Sequence, residues 1–195
     1  MSLALRKEDL PHYTYEDYAR WEGRWELIDG VAYAMSPSPS FEHQRLCGSI
    51  TYLLHHALED DPLCQSISGF DWKIDESTVV CPDNLVICHE PENQNYLTRA
   101  PALIFEILSP STASKDEGVK LRLYESEGVG WYVLIDPTEH VLKVWRLHEG
   151  RYMKHADLSG ETCAFDLGPC RFSLDFSRLW RKKGGCGMRP SAELN

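Results

Sequence analysis

Glu106 is the one charged residue in the run Ala102-Leu103-Ile104-Phe105-Glu106-Ile107-Leu108, the most apolar stretch of the chain. A run that is apolar at odd and even positions alike reads as a strand buried on both faces. An unpaired carboxylate there would forfeit several kcal/mol of hydration, so a proton, a lysine or a metal ion must compensate it. Asp83 has a similar setting within Val79-Val80-Cys81-Pro82-Asp83-Asn84-Leu85-Val86-Ile87. Two acids inside neighbouring buried strands suggest a site for a divalent cation, and Mg²⁺ favours carboxylate oxygens plus retained waters. Such a site also needs a cationic group to orient or deprotonate a water and to offset charge on a phosphate. The segment after the Glu106 strand offers Lys115 and Lys120. Lys120 lies one helical turn beyond Asp116 and beside the apolar Val119, from where it could reach back to the sheet.

The elements that must hold these groups are legible in the pattern. Thr14 with Asp17 three residues later opens a helix within 13–22. Arg24 to Ile28, Asp29-Gly30 and Val31 to Met35 read as a hairpin, since Asp-Gly supplies the positive φ angles of a tight turn. Leu46, Ile50, Leu53, Leu54, Ala57 and Leu58 recur at helical spacing over 41–59, behind a Ser-Pro-Ser-Pro-Ser loop whose Ser40 is a good N-cap. His43 falls on the same stripe. Residues 66–74 and 78–87 read as an antiparallel pair, with Pro82 marking an edge, a bulge or a strand start. Lys115 to Glu127 reads as a helix with Val119 and Leu123 inward and Ser126 a further candidate for that face. Trp131 to Ile135 is a further buried strand, so the helix is a right-handed crossover between parallel strands. Residues 141–147 and 151–154 form a later hairpin around Glu149-Gly150, and 172–180 a short closing segment. A single domain over 1–180 is expected, with residues 181–195 as a disordered tail.

Composition bounds the rest. The 195 residues are 43% hydrophobic and 26% charged, enough for one sizeable core. Nothing approaches a membrane span, and the N-terminus is too short and too soon charged for a signal peptide, so a soluble cytoplasmic protein is expected. Seven cysteines contain no Cys-x-x-Cys pair, which argues against both a zinc cluster and a disulfide framework. A net charge of −10 works against a protein whose main task is gripping nucleic-acid phosphates, but leaves room for an enzyme that meets them through a metal. The basic residues Arg171, Arg178, Arg181, Lys182, Lys183 and Arg189 read as a phosphate-binding patch or a solvated tail.

Pro82-Asp83 followed by Glu106 resembles the PD-(D/E)xK nuclease superfamily, and several further segments resemble its Uma-two branch of endonucleases. Those segments are Tyr15-Glu16, Trp25 to Gly30, Met35 to Pro39 with His43-Gln44, Val80 to Asp83, Glu106 to Thr112, Asp116-x-x-x-Lys120 with Tyr124, and Trp131 to Asp136. The resemblance covers roughly residues 13 to 147. It implies an α/β (α+β) restriction-endonuclease-like fold, a mixed central sheet flanked by helices. It also implies Asp83 and Glu106 as metal ligands, with the Ile107 carbonyl as a further one, for Mg²⁺ or Mn²⁺. The superfamily lysine belongs two residues after the glutamate, where this chain has Leu108; Lys120 looks like its relocated replacement, with Lys115 the fallback. Glu26 and His43 match an acidic residue and a histidine of the branch.

The reading that follows is a metal-dependent endonuclease hydrolysing DNA phosphodiester bonds. A catalytically inactive restriction-like module, serving in binding or oligomerisation, is the alternative, and RNA is a second candidate substrate. Without a metal, Glu106 with Lys120 would be a buried salt bridge, Lys120 could pair with Asp116 at the surface, and Glu26 could partner an arginine. Lys115 would then be a surface residue. A homodimer is a further expectation, resting on Trp145 and Tyr152 as an exposed apolar edge of the late hairpin.

Overall fold

The computed structural model describes residues 11–35, 39–109 and 113–180. The expected tail and the central residues of the Ser-Pro loop lie outside them, as do the four tail residues of the basic cluster. Twelve strands and three α-helices, one extended by a π-helical segment, make up these residues. A six-stranded sheet, in the order β10-β9-β8-β7-β6-β3, is the centre. Its strands are β3 (Gln65–Ser68), β6 (Asn84–Ile87), β7 (Leu103–Ile107), β8 (Trp131–Asp136), β9 (Val141–His148) and β10 (Arg151–Leu158). Only β7 and β8 run parallel, as the crossover between them requires; the other neighbours are antiparallel. A four-stranded sheet, β2-β1-β5-β4, packs beside it, built from β1 (Trp25–Ile28), β2 (Val31–Ala34), β4 (Trp72–Asp75) and β5 (Thr78–Val80). Asp29 (φ 50°) and Gly30 (φ 74°) close the expected β1–β2 hairpin in the left-handed region such a turn demands.

The central sheet divides its side chains by the two-residue period of a strand. Leu103, Phe105 and Ile107 of β7 with Trp131, Val133 and Ile135 of β8 face one core. The helix α2 (Phe41–Ala57) lays Leu46, Ile50 and Leu54 on that core, as its spacing predicts. The hairpin β11 (Thr162–Asp166) and β12 (Arg171–Asp175) adds Phe165 and Leu174 to the same face. Ile104 of β7, Leu108 just after it, and Tyr132 and Leu134 of β8 face a second core with Ile28, Trp72 and Val80. Glu106 shares the parity of Ile104 and Leu108, so the fold turns it into this second layer.

Several expectations change. The pair over 66–74 and 78–87 is antiparallel, but both strands break and each half joins a different sheet: β3 pairs with β6, and β4 with β5. Gly69 in the left-handed region (φ 58°) and Pro82, which lacks a ladder donor, sit at the two breaks. Asp83 therefore stands at the entry to β6 rather than inside a strand. The first helix, α1 (Tyr15–Tyr18), is a single turn, although Asp17 does accept from Thr14 N at 2.9 Å. Trp145 and Tyr152 are no exposed edge: both stack on Tyr132, and the Tyr152 hydroxyl donates to Val129 O at 3.0 Å. Cys64 and Cys88 form a disulfide, against expectation, because the β3–β6 register continues to place them directly opposite each other. No helix among the described residues is long and apolar enough to cross a membrane.

Candidate active site

Asp83 and Glu106 meet because of strand register. The ladder pairs Asn84 with Phe105, so one further step sets Asp83 opposite Glu106 on the second-core side. The Asp83 carboxylate accepts from the Ile107 N–H at 2.8 Å, which ties it to the strand that carries the glutamate. Gly69 N donates to the Asp83 carbonyl at 3.1 Å, anchoring the break in the chain just where the acid projects.

The following helix packs Val119 and Leu123 against the second core, as expected, but its most deeply buried side chains are others. Its buried residues are Asp116, Lys120 and Tyr124, spaced four apart, while Val119 and Leu123 are only partly buried and Ser126 is exposed. Residues Lys115–Lys120 form a π-helical segment that runs into α3 (Leu121–Ser126). An α-helix would set residues five apart about 140° from each other, whereas an i→i+5 turn stacks them. Lys115 and Lys120 consequently reach the same carboxylate.

That carboxylate is Glu26. The Lys120 ammonium lies 2.7 Å from Glu26 Oε1 and 2.7 Å from Glu106 Oε1, with Asp116 Oδ1 at 3.5 Å. Lys115 pairs with Glu26 Oε2. Glu26 Oε1 also accepts from Cys81 N at 3.1 Å, and Glu106 Oε1 from the Tyr124 hydroxyl at 2.9 Å. At the other side His43 Nε2 lies 3.2 Å from Asp83 Oδ2, placed by a helix start where Ser40 Oγ accepts from His43 N. All five residues singled out from sequence, Glu26, His43, Asp83, Glu106 and Lys120, thus fall into one cluster, and Ile107 belongs to it through its N–H. The ion pair of Glu106 with Lys120 is present. Glu26 partners lysines rather than an arginine, and Lys115 belongs to the cluster instead of the surface. Asp116 is a third buried acid beside Glu26 and Glu106, and Tyr124 a donor; the sequence offers Asp116 only as a surface partner of Lys120 and gives Tyr124 no role, although their 116/120/124 spacing is a signal.

The electrostatics separate the acids. Burial would raise Glu26, but Lys120 and Lys115 together hold its carboxyl below the ordinary range. Burial pushes Glu106 up to about 8: it has only Lys120 against it and faces the charges of Asp116, Asp83 and Glu26. Lys120 is held well above its ordinary value, because Glu106 and Glu26 outweigh its burial. The hydrogen bond to Asp83 raises His43 against the opposing effect of burial. Four carboxylates touch two lysines and one histidine, and the Arg24 guanidinium acts on Asp83 and His43 from beside them.

A family model described as "Putative restriction endonuclease" matches residues 15–168. An uncharacterized protein of Synechocystis sp., slr1290, is 33% identical over 123 residues, which make up 58% of this chain. The chain spans 63% of that relative's length. In structure it is similar to a protein from Anabaena variabilis described as "a putative nuclease belonging to DUF820", with a TM-score of 0.63 at 16% identity. That match covers 78% of this chain and 88% of the other, and it establishes a restriction-endonuclease-like fold for the present chain. The family match spans most of the chain and every residue of the buried cluster: the protein belongs to the Uma2 family of restriction-endonuclease-like nucleases.

Proposed function

We propose that the protein is a metal-dependent endonuclease that hydrolyses phosphodiester bonds of DNA, with Asp83, Glu106 and Lys120 as its centre. The observation that carries this reading is the convergence of Asp83 and Glu106, joined through Ile107 and Lys120, in one cluster. The donor set suits a hard divalent ion. Asp83 and Glu106 offer carboxylate oxygens, and Ile107, whose N–H turns toward Asp83, turns its carbonyl to the same edge of the strand. A bound Mg²⁺ or Mn²⁺ would supply Lewis acidity toward a phosphate oxygen and lower the pKa of a coordinated water.

The protein's own groups divide into a floor and a rim. Glu26, Glu106, Asp116 and Lys120 form the floor, with side chains at most 5% exposed. Lys115, Asp83 and His43 form the rim, at 11%, 14% and 16%. A phosphate entering from the rim meets His43 and Lys115 first, and both can donate to its oxygens. Lys120, fixed by Glu26 and Glu106 at once, is a preorganised cation that offsets charge developing on phosphorus without reorganising. Glu26 acts as a positioning residue through the two lysines it holds. DNA is the favoured substrate because the family is that of restriction endonucleases.

Supercoiled DNA incubated with Mg²⁺ or Mn²⁺ tests the reading. Wild type should nick or linearise it, and Asp83→Ala, Glu106→Ala and Lys120→Ala should each lose about 100-fold or more. Equal cleavage by all four proteins would assign the activity to a contaminant and end the proposal.

A further inference from the structure

A second cluster of potential ligands lies at the opposite end of the β3–β6 ladder. Cys64 and Cys88 flank the pair Gln65–Ile87, and the Cys170 sulfur joins them from the loop before β12. The three sulfurs all lie within 4.8 Å of one another. Cys64 and Cys170 are buried, and the partly exposed Cys88 gives access from solvent. Five residues separate Cys88 from Asp83 along the chain, or about 17 Å of extended strand, so the two clusters are separate sites.

We propose that, once the Cys64–Cys88 disulfide is reduced, Cys64, Cys88 and Cys170 form a three-thiolate site for a thiophilic divalent cation of the Zn²⁺ class. The geometry suits it. Zn–S bonds of about 2.3 Å in a tetrahedron place sulfurs about 3.8 Å apart, inside the 4.8 Å within which the three sulfurs lie. Soft thiolates select such ions over Mg²⁺. The surroundings are anionic: the Asp61 and Asp166 carboxylates both act on the Cys170 sulfur, and Asp61 Oδ1 accepts from Cys64 N at 2.7 Å. Burial and these carboxylates push the Cys170 thiol up to about 11, and a divalent ion that replaces its proton would be held by the same negative field. The fourth position is left to water.

The chemistry balances in two steps. A small dithiol gives two electrons and two protons to the disulfide, leaving two protein thiols and its own disulfide. The divalent ion then displaces three protons from Cys64, Cys88 and Cys170, and the centre carries one net negative charge. The bound ion would clamp the β11–β12 hairpin to the end of the central sheet; the reverse exchange, in which a small disulfide accepts two electrons and two protons as the Cys64–Cys88 bond re-forms and Cys170 regains its proton, would release it.

Titration of full-length protein with Co²⁺ and Cd²⁺ tests this, in a Cys186→Ser background after reduction with a phosphine. The reduced protein should take up one equivalent with intense thiolate-to-metal charge-transfer absorption, and Zn²⁺ should displace Co²⁺ and raise Tm. The unreduced protein should show no such band. Cys170→Ser and Cys88→Ser should each lose or shift it, while Cys163→Ser and Cys47→Ser leave it unchanged. Circular dichroism confirms that each variant is folded. A reduced protein without the band, or a band unaltered in both Cys170→Ser and Cys88→Ser, would overturn the proposal.

Discussion

The Lys120 ammonium sits 2.7 Å from the Glu106 carboxylate, both fully inside the protein, although one belongs to a helix and the other to the strand before it. A lysine two residues after a strand glutamate would project from the same face of the same strand. Here position 108 is leucine and packs in the second core. The π-helical segment returns an ammonium to the glutamate from above the sheet. What the cluster needs is a charge at a point in space, and the chain delivers it by a longer route.

Removing that charge should be costly. Lys120→Met leaves Glu26 with only Lys115 and Glu106 with no cation, so stability should fall by about 3–5 kcal/mol. Urea unfolding at neutral pH measures it. Near pH 9, above the folded Glu106 value of about 8, the double variant Lys120→Met with Glu106→Gln should recover part of the loss, because no charge on Glu106 then remains to be compensated.

Glu106 should make the metal-free protein sensitive to alkali. Its folded pKa of about 8 exceeds the ordinary 4.5, so between those values the native state binds more protons than the unfolded one. Stability should therefore be greatest toward the lower limit and fall as pH rises from about 4.5 to about 8, by up to about 1.4 kcal/mol per pH unit. Urea midpoints across this window should show the slope, and Glu106→Gln should flatten it.

His43 should add a smaller slope of the same sign. Asp83 raises its pKa above 6.5, so its contribution is present below 6.5 and is lost as pH rises through the folded value. The ring resonances of His43 followed by NMR should titrate above 6.5. Asp83→Asn should return them toward it; no change in that variant would show that the pair does not form in solution.

Metal and protons should compete. An ion bound by Asp83 and Glu106 replaces the proton that burial places on Glu106, so Mn²⁺ binding near pH 7 should release protons. Calorimetric titrations in buffers of different ionisation enthalpy should give correspondingly different apparent heats. In Glu106→Gln the difference should shrink along with the affinity.

Tyr124→Phe isolates the hydroxyl that donates to Glu106 Oε1. It removes one hydrogen bond to a buried carboxyl, and a loss of about 1–3 kcal/mol is expected, with the packing of the ring against Trp72 and Tyr132 kept. Urea unfolding would read it.

Much of this was written in local pattern. An acid alone in an apolar strand, a capped helix with His43 on its inner stripe, and an Asp-Gly turn after β1 are short-range signals. They depend on hydration and backbone sterics that act wherever the residues stand. Local pattern therefore determined the central strands, the parallel crossover and Asp83, Glu106 and Lys120 as residues to watch, while Glu26 and His43 were marked by the family resemblance. Tertiary structure decided the rest. Whether Lys115 is a surface residue or a second clamp on Glu26 depends on the π-helical turn, and so does the burial of Asp116 with Lys120 3.5 Å away. The breaks at Gly69 and Pro82, which send half of each strand to another sheet, place Asp83 at a strand entry that apolar spacing alone does not reveal. The Cys64–Cys88 bond likewise follows from cross-strand register. Contacts between residues distant in sequence answer to packing, and the charges that end up buried together are set by which faces meet.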